Sequence, residues 1–248
     1  MTRTILVTGA RRGIGAALAV GLAGPDVALV LHHLAAADEV AAVAEQCRAA
    51  GAQARVVEAD LSAPAQVHSL AEAAGPVDVL VNNAARASNV WLDELSLAEW
   101  EATFAVNVTA PMLLSQALAA GMRRRGGGRI INVTSATVRM GGPSGPSYVS
   151  SKAALIGLTR ALAHALGPDG TTVNALSPGA VRTEGERELA AGRPVDEAAQ
   201  DAAILARQAV RRRLDPDDLV STVRFLASPQ SGAVTGQVIE VGGGLVLR

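Results

Sequence analysis

Aromatic side chains are scarce: two Trp, two Phe and one Tyr make up 2% of the 248 residues. Stacking platforms are therefore nearly unavailable, and the core must be built from Ala, Val and Leu. Net charge is scarce too, with 22 basic against 23 acidic residues and a balance of -1. Without a long basic stripe nucleic acid is not an expected partner, and a small soluble ligand is. Cysteine occurs once, at Cys47, which excludes an intramolecular disulfide framework. Its amphipathic helical setting reads as inert packing. No apolar run reaches the length of a membrane span, and no charged, apolar and cleavage-site succession opens the chain. A cytoplasmic location without a membrane partner is expected, and no metal ligands are assigned.

Aliphatic sequence is abundant instead, with apolar residues at 49%. Strand-like runs alternate with Ala-rich segments of helical period, the order of a parallel sheet covered on both faces. Strands are expected at Ile5 to Thr8, Val27 to Leu31, Ala54 to Glu58, Val77 to Asn82, Arg129 to Thr134, Thr172 to Leu176 and Gln237 to Val241. The predicted fold is one α/β domain over residues 1–248, a doubly wound (Rossmann-type) parallel sheet of about seven strands. Such sheets bind ligands beyond the carboxyl ends of their strands, where the winding reverses. Residues 184–213 are long, charged and Ala-rich, and are expected to form a partly helical substrate lid.

Two motifs carry chemistry. After the first strand comes Thr8, Gly9, Ala10, Arg11, Arg12, Gly13, Ile14, Gly15. Gly9 permits a tight turn, Gly13 a close approach of backbone to a pyrophosphate, and Gly15 close helix packing, with the helix N-terminus aimed at the anion. A glycine turn alone is weak evidence; between a first strand and an Ala-rich helix it favours dinucleotide binding. The second motif is Tyr148 with Lys152 four residues on and Ser135 upstream. Residues four apart share a helix face, so the ammonium is expected to lower the phenol pKa and prepare it for proton transfer.

Together, TGxxxGIG, Asn82-Asn83-Ala84, Asn107 in NVTA, Ser135, the Tyr148/Lys152 pair and SPGAVRT resemble the short-chain dehydrogenase/reductase family over nearly the whole chain. FLASP and VTGQVIEVGGG further resemble the branch of 3-oxoacyl-carrier-protein reductases. The resemblance implies that Ser135 binds the substrate oxygen and Tyr148 exchanges its proton. Lys152 would hold the nicotinamide ribose while lowering the Tyr148 pKa, and Asn107 would orient a water leading to Lys152. It also implies that Asp60, beside Leu61, accepts from the adenine amino group. Asn82 and Ala84 would line the adenine ribose, and Thr183 and Val181 would meet the carboxamide on a turn shaped by Pro178 and Gly179. The bland alternatives are a strand-end Ser, a core Tyr, a surface Lys, a helix-interior Asn and a capping Asp.

Cofactor choice turns on the end of the second strand, which reads Leu31, His32, His33, Leu34 without an acid to repel a 2'-phosphate. Arg12 stands where family members taking the phosphorylated cofactor carry a base, and its forked donors suit phosphate. Arg11 beside it is expected to be exposed. NADP(H) is the cofactor implied, and ketone reduction of the 3-oxoacyl-thioester type the leading activity, with a free ketone, sugar or polyketide-like alcohol as alternative. Three departures from the family pattern stand out: Ala85 for Gly after NNA, Gly242 for Asp before the final glycines, and Asp169 where carrier-protein reductases place a base. An acid there would repel an acidic carrier, although Arg123 to Arg125 and Arg211 to Arg213 offer other docking cations. A homotetramer through the long helices and the terminal strand, with Leu245 to Leu247 buried in it, is the assembly implied.

Overall fold

The computed structural model describes residues 2–186 and 196–247, so residues 187–195 of the expected lid lie outside the described residues. All seven expected strands form: β1 (Arg3–Val7), β2 (Val27–His33), β3 (Gln53–Glu58), β4 (Val79–Asn82), β5 (Arg129–Val133), β6 (Thr172–Pro178) and β7 (Val238–Val241). They pair in parallel in the order β3-β2-β1-β4-β5-β6-β7. The winding reverses between β1 and β4, where a crevice opens above the sheet. Two strands run further than their apolar patterns suggest, because polar residues continue the ladder. His32 and His33 pair with Val57 and Glu58, and Ser177 and Pro178 pair with Glu240 and Val241.

Alternate strand residues point to opposite faces, and this divides the core in two. Ile5, Val7, Leu29 and Leu31 pack under α1 (Gly13–Leu22), α2 (Ala37–Ala49) and, near the C-terminus, the helix Val220–Ala227. Leu6, Val30, Leu80 and Ile130 pack under α3 (Pro64–Ala74), the helix Ala110–Arg124 and the helix Pro146–Leu166. In chain order α4 is Leu97–Phe104, α5 Ala110–Arg124, α6 Thr137–Met140, α7 Pro146–Leu166, α8 Glu197–Arg207 and α9 Val220–Ala227. Cys47 is buried in the first cluster, and burial pushes its thiol up to about 11, so it is inert packing.

A π-turn at Ala105–Thr109 joins α4 to α5, so Leu97–Arg124 runs as a helix whose length and mean hydropathy of 1.3 meet the requirements for crossing a membrane. No single apolar run in the sequence announces it, because Glu99, Glu101 and Asn107 interrupt the pattern. The helix packs on α3 and α7 and buries Thr103, Asn107 and Ser115.

Candidate active site

The site grows from the carboxyl ends of β1 and β4. Thr8 Oγ1 donates to the Val81 carbonyl at 3.3 Å and accepts from the N–H groups of Asn83 and Ala84, each at 3.0 Å. Asn83 Nδ2 donates to the carbonyls of Thr8 and Gly9 at 2.9 and 3.0 Å. The two strand ends are thereby joined, and Gly9, at φ 65°, lies so close to Ala84 that a side chain there would meet its Cα at 2.9 Å. Gly13, at φ 54°, opens α1, whose first turn carries no acidic residue and no side-chain cap. Its amide N–H groups are thus left for an anion.

His32 holds the loop from the other side. Its Nδ1 accepts from Gly9 N–H at 3.1 Å and its Nε2 lies 3.0 Å from the Ala59 carbonyl. Both bonds can form only with a neutral ring protonated at Nε2. Burial agrees, since desolvation lowers the His32 pKa below its ordinary value, opposed by the Ala59 hydrogen bond. His33, equally buried, accepts from Ala36 N–H through Nδ1 at 3.1 Å.

Above this frame lies a cleft of about 710 Å³. Of the residues singled out in the sequence, Gly9, Arg11, Arg12, Gly13, Ile14, Gly15, His32, His33, Asp60, Leu61, Ala84 and Thr183 line it. Arg11 faces Glu39 at 3.6 Å. Asp60 accepts from Ser62 N–H at 2.8 Å and Ser62 Oγ at 2.7 Å, and these bonds hold its carboxyl below the usual range. The turn and the cleft wall are therefore one feature. Thr8 lies behind the wall as a brace. Ala85, Arg86 and Ala87 line this cleft with Ala102 and Val106.

Asn82 and Asn107 are both buried and bonded within the protein. Asn82 is buried away from the cleft and donates through Nδ2 to Asn132 Oδ1 at 2.8 Å; Asn132 in turn donates to Thr159 Oγ1 at 2.9 Å. This polar line ties β4 and β5 to α7, and Asn83, its neighbour, takes the place at the cleft. Asn107 is wholly buried, with Oδ1 accepting from Arg86 N–H at 2.8 Å and Nδ2 shared between the Arg86 carbonyl at 3.1 Å and Ser151 Oγ at 2.9 Å. Its side chain thus ties the Arg86 main chain to Ser151 on α7.

Beyond the cleft, β5 delivers Ser135 and α7 delivers Tyr148 and Lys152. Pro146 in the first turn of α7 and Gly145 as its cap start the helix there. Ser135 Oγ accepts from Thr137 N–H at 3.2 Å and Thr137 Oγ1 at 2.9 Å, so its own proton is available to a ligand or to Tyr148, whose hydroxyl it meets. Lys152 is among the largest fully buried side chains. Its Nζ donates to the Val133 carbonyl at 2.7 Å and stands 5.7 Å from the centroid of the Tyr148 ring. Burial lowers its pKa to about 8. The expected acidic phenol is not what this arrangement gives: burial raises the Tyr148 pKa, the Ser135 hydrogen bond lowers it in part, and Lys152 is directed to Val133.

The remaining residues frame the far side. Val181 bridges Leu214, and Gly179 N–H donates to the Val241 carbonyl at 3.0 Å. Gly242 packs against Gly179, where a side chain on Gly179 would meet the Gly242 Cα at 2.5 Å; glycine at 242 in place of Asp has no explanation in these contacts. Four of the six clustered arginines are ion-paired within the chain, and Arg211 donates to the Leu205 carbonyl. Arg123 meets Asp169 and Arg125 meets Asp78, each at 2.7 Å; Arg212 meets Asp218 at 2.5 Å; buried Arg213 meets Glu186 at 2.7 Å and also Asp201.

A doubly wound sheet with an anion-ready glycine loop at its switch point, and Ser, Tyr and Lys beside it, defines a dinucleotide-dependent oxidoreductase. The chain belongs to the short-chain dehydrogenase family, whose model matches residues 3–194. It is 40% identical over 245 residues to the short-chain reductase protein NovJ of Streptomyces niveus, covering 96% of this chain and 92% of that one. With a probable galactose dehydrogenase, GalD, of Rhizobium meliloti it shares 37% identity over 247 residues, 98% of this chain and 94% of that one. A crystal structure of a 3-oxoacyl (acyl-carrier-protein) reductase from Agrobacterium tumefaciens with NADP bound superposes with a TM-score of 0.90 at 32% identity, over 98% of this chain and 93% of that one.

The His32 clamp makes a pH prediction. A folded-state pKa depressed below the free value of about 6.5 means that the unfolded chain binds the extra proton first. The stabilisation is whole above that value and is lost as pH falls through the folded value, by up to about 1.4 kcal/mol per pH unit. Urea midpoints between pH 7.5 and 5.5 should therefore fall in the wild type and fall less steeply in His32→Gln; equal slopes would remove His32 as the cause.

Proposed function

We propose that the protein is an NADPH-dependent reductase that converts a ketone to a secondary alcohol, and that the reverse oxidation uses the same groups. The observation that carries this is the hydrogen-bonded Ser135 and Tyr148 pair above a buried Lys152, beside a glycine-loop cleft with no acid at the end of β2. The residues present fit the cofactor. The amides of the Gly13 turn suit its pyrophosphate, Arg12 with His32 and His33 leave room and charge for a 2'-phosphate, and Thr183 packs against the Gly13 turn. NADP in the Agrobacterium relative supports the same choice. When bound, the cofactor supplies a hydride.

The chain supplies the proton and the orientation. Ser135 donates to the substrate oxygen, and Thr137 fixes the Ser135 oxygen from behind. Tyr148, kept protonated at neutral pH by burial, is the acid that protonates the oxygen as negative charge develops there. Lys152 holds a positive charge beneath, fixed to Val133; its loss above about pH 8 removes that support. Asn107 acts on this reading through backbone, by holding Arg86 and Ser151.

The substrate is better read as a free carbonyl compound than as an acyl chain on a carrier protein. Asp169 is ion-paired with Arg123, and Arg125, Arg212 and Arg213 are likewise neutralised within the chain. Four of the six clustered cations are thus taken by acids of the same chain, which weakens both clusters as a surface for an acidic carrier. A homotetramer is the proposed assembly: the apolar span within Leu97–Arg124 is only 33% buried, and Leu97 is 70% exposed.

Tyr148→Phe should lower kcat by at least about 100-fold, the scale of general acid catalysis, while NADPH binding by fluorescence titration is retained. Turnover near the wild-type rate would overturn the assignment. In a panel of free ketones, keto sugars and 3-oxoacyl thioesters with and without carrier protein, a free ketone should give the highest kcat/KM; a preference for the carrier-bound form would reverse the substrate reading. Light scattering should give the mass of four chains, and a stable monomer would refute the assembly.

A further inference from the structure

A planar base is best held by a planar partner, yet no Phe, Tyr or Trp lines the cleft among the described residues. Arg86 stands there instead. Its main chain is fixed by Asn107, which accepts from its N–H and donates to its carbonyl. Its guanidinium is fixed from another element, donating to Glu99 Oε2 on α4 at 2.7 Å. Glu99 is itself held by the hydroxyls of Thr103 and Ser88. An arginine restrained at both ends, yet 47% exposed along its side chain, loses little entropy on meeting a ligand.

Its place along the sheet says which part of a ligand it meets. The anion-ready turn follows β1, His32 and His33 close β2, and Asp60 to Ser62 follow β3, the outermost strand. A dinucleotide with its pyrophosphate on α1 that extends its adenosine toward β3 would reach Leu61, which shares an apolar cluster with Val106. Arg86 is bonded through its main chain to Asn107, the next residue after Val106. Glu99 neutralises the Arg86 charge, which makes it a poor phosphate ligand beside Arg12. The guanidinium plane is unaffected by that pairing, and such planes stack on bases.

We propose that Arg86, held flat by Glu99, is the platform on which the adenine of the cofactor stacks. This rests on the NADP(H) reading above and assigns a specificity-determining contact within it. The test is calorimetric titration of the full chain with 2',5'-ADP, which has the base and no nicotinamide, and with reduced nicotinamide mononucleotide, which lacks the base. Arg86→Ala should weaken 2',5'-ADP roughly 3- to 30-fold, the range of such stacking contacts. Arg86→Lys should be as weak although the charge is kept, whereas Arg86→Trp should recover affinity to within about threefold of wild type. Affinity for the mononucleotide should be unchanged in all three. Full binding by Arg86→Lys would assign a charge contact, and a parallel loss of the mononucleotide would assign a role in loop structure; either overturns the platform. Failure of the wild type to bind 2',5'-ADP would instead bring down the NADP(H) reading itself.

Discussion

The weld between β1 and β4 is the constraint on which the site depends. Thr8 and Asn83 exchange hydrogen bonds with the ends of both strands, and Gly9 then lies against Ala84 with no room for a side chain. His32 fixes the same glycine from the β2 side. With three strand ends locked, the first turn of α1 is aimed into the crevice, and preorganised amides bind an anion without reordering. The buried Lys152 is a second constraint of the same kind. A charge taken out of water costs stability unless bonded, and its bond to Val133 ties α7 to β5 beneath Tyr148.

Much of this was legible in the chain. Seven strands were readable from apolar periodicity because parallel strands buried on both faces leave continuous aliphatic runs. The glycine loop, Ser135, Tyr148 and Lys152 were readable because each belongs to a short local motif. What local pattern could not show was direction across the fold. Asn82 and Asn83 are neighbours of the same type, yet strand alternation sends one to Asn132 and the other to the loop. The helix Leu97–Arg124 was hidden because polar residues that it buries broke the apolar run.

The electrostatic expectations failed for one shared reason. Spacing places Lys152 below Tyr148, but it does not reveal that a backbone carbonyl holds the ammonium or that burial raises the phenol pKa. Two runs of three arginines likewise look like a docking surface until Asp169, Asp78, Asp218 and Glu186 are seen on them. Asp169, which reads as a repulsive acid in the sequence, is the partner of one of those arginines. Charge in a linear sequence has no geometry, and pairing partners here are up to 47 positions apart.

The paired arginines also bear on how a ligand arrives. Opposite charges a few ångströms apart cancel within a Debye length of about 8 Å at physiological ionic strength, so these clusters cast no extended field into solvent. On the free-carbonyl reading proposed above, capture of an uncharged substrate would proceed by unguided diffusion, at a rate nearly indifferent to salt. The attraction that survives is the short-range one inside the cleft, where the uncapped first turn of α1 suits a phosphorylated ligand. Two ligands that share one site would thus meet the same surface under different laws of approach, one sensitive to ionic strength and one not.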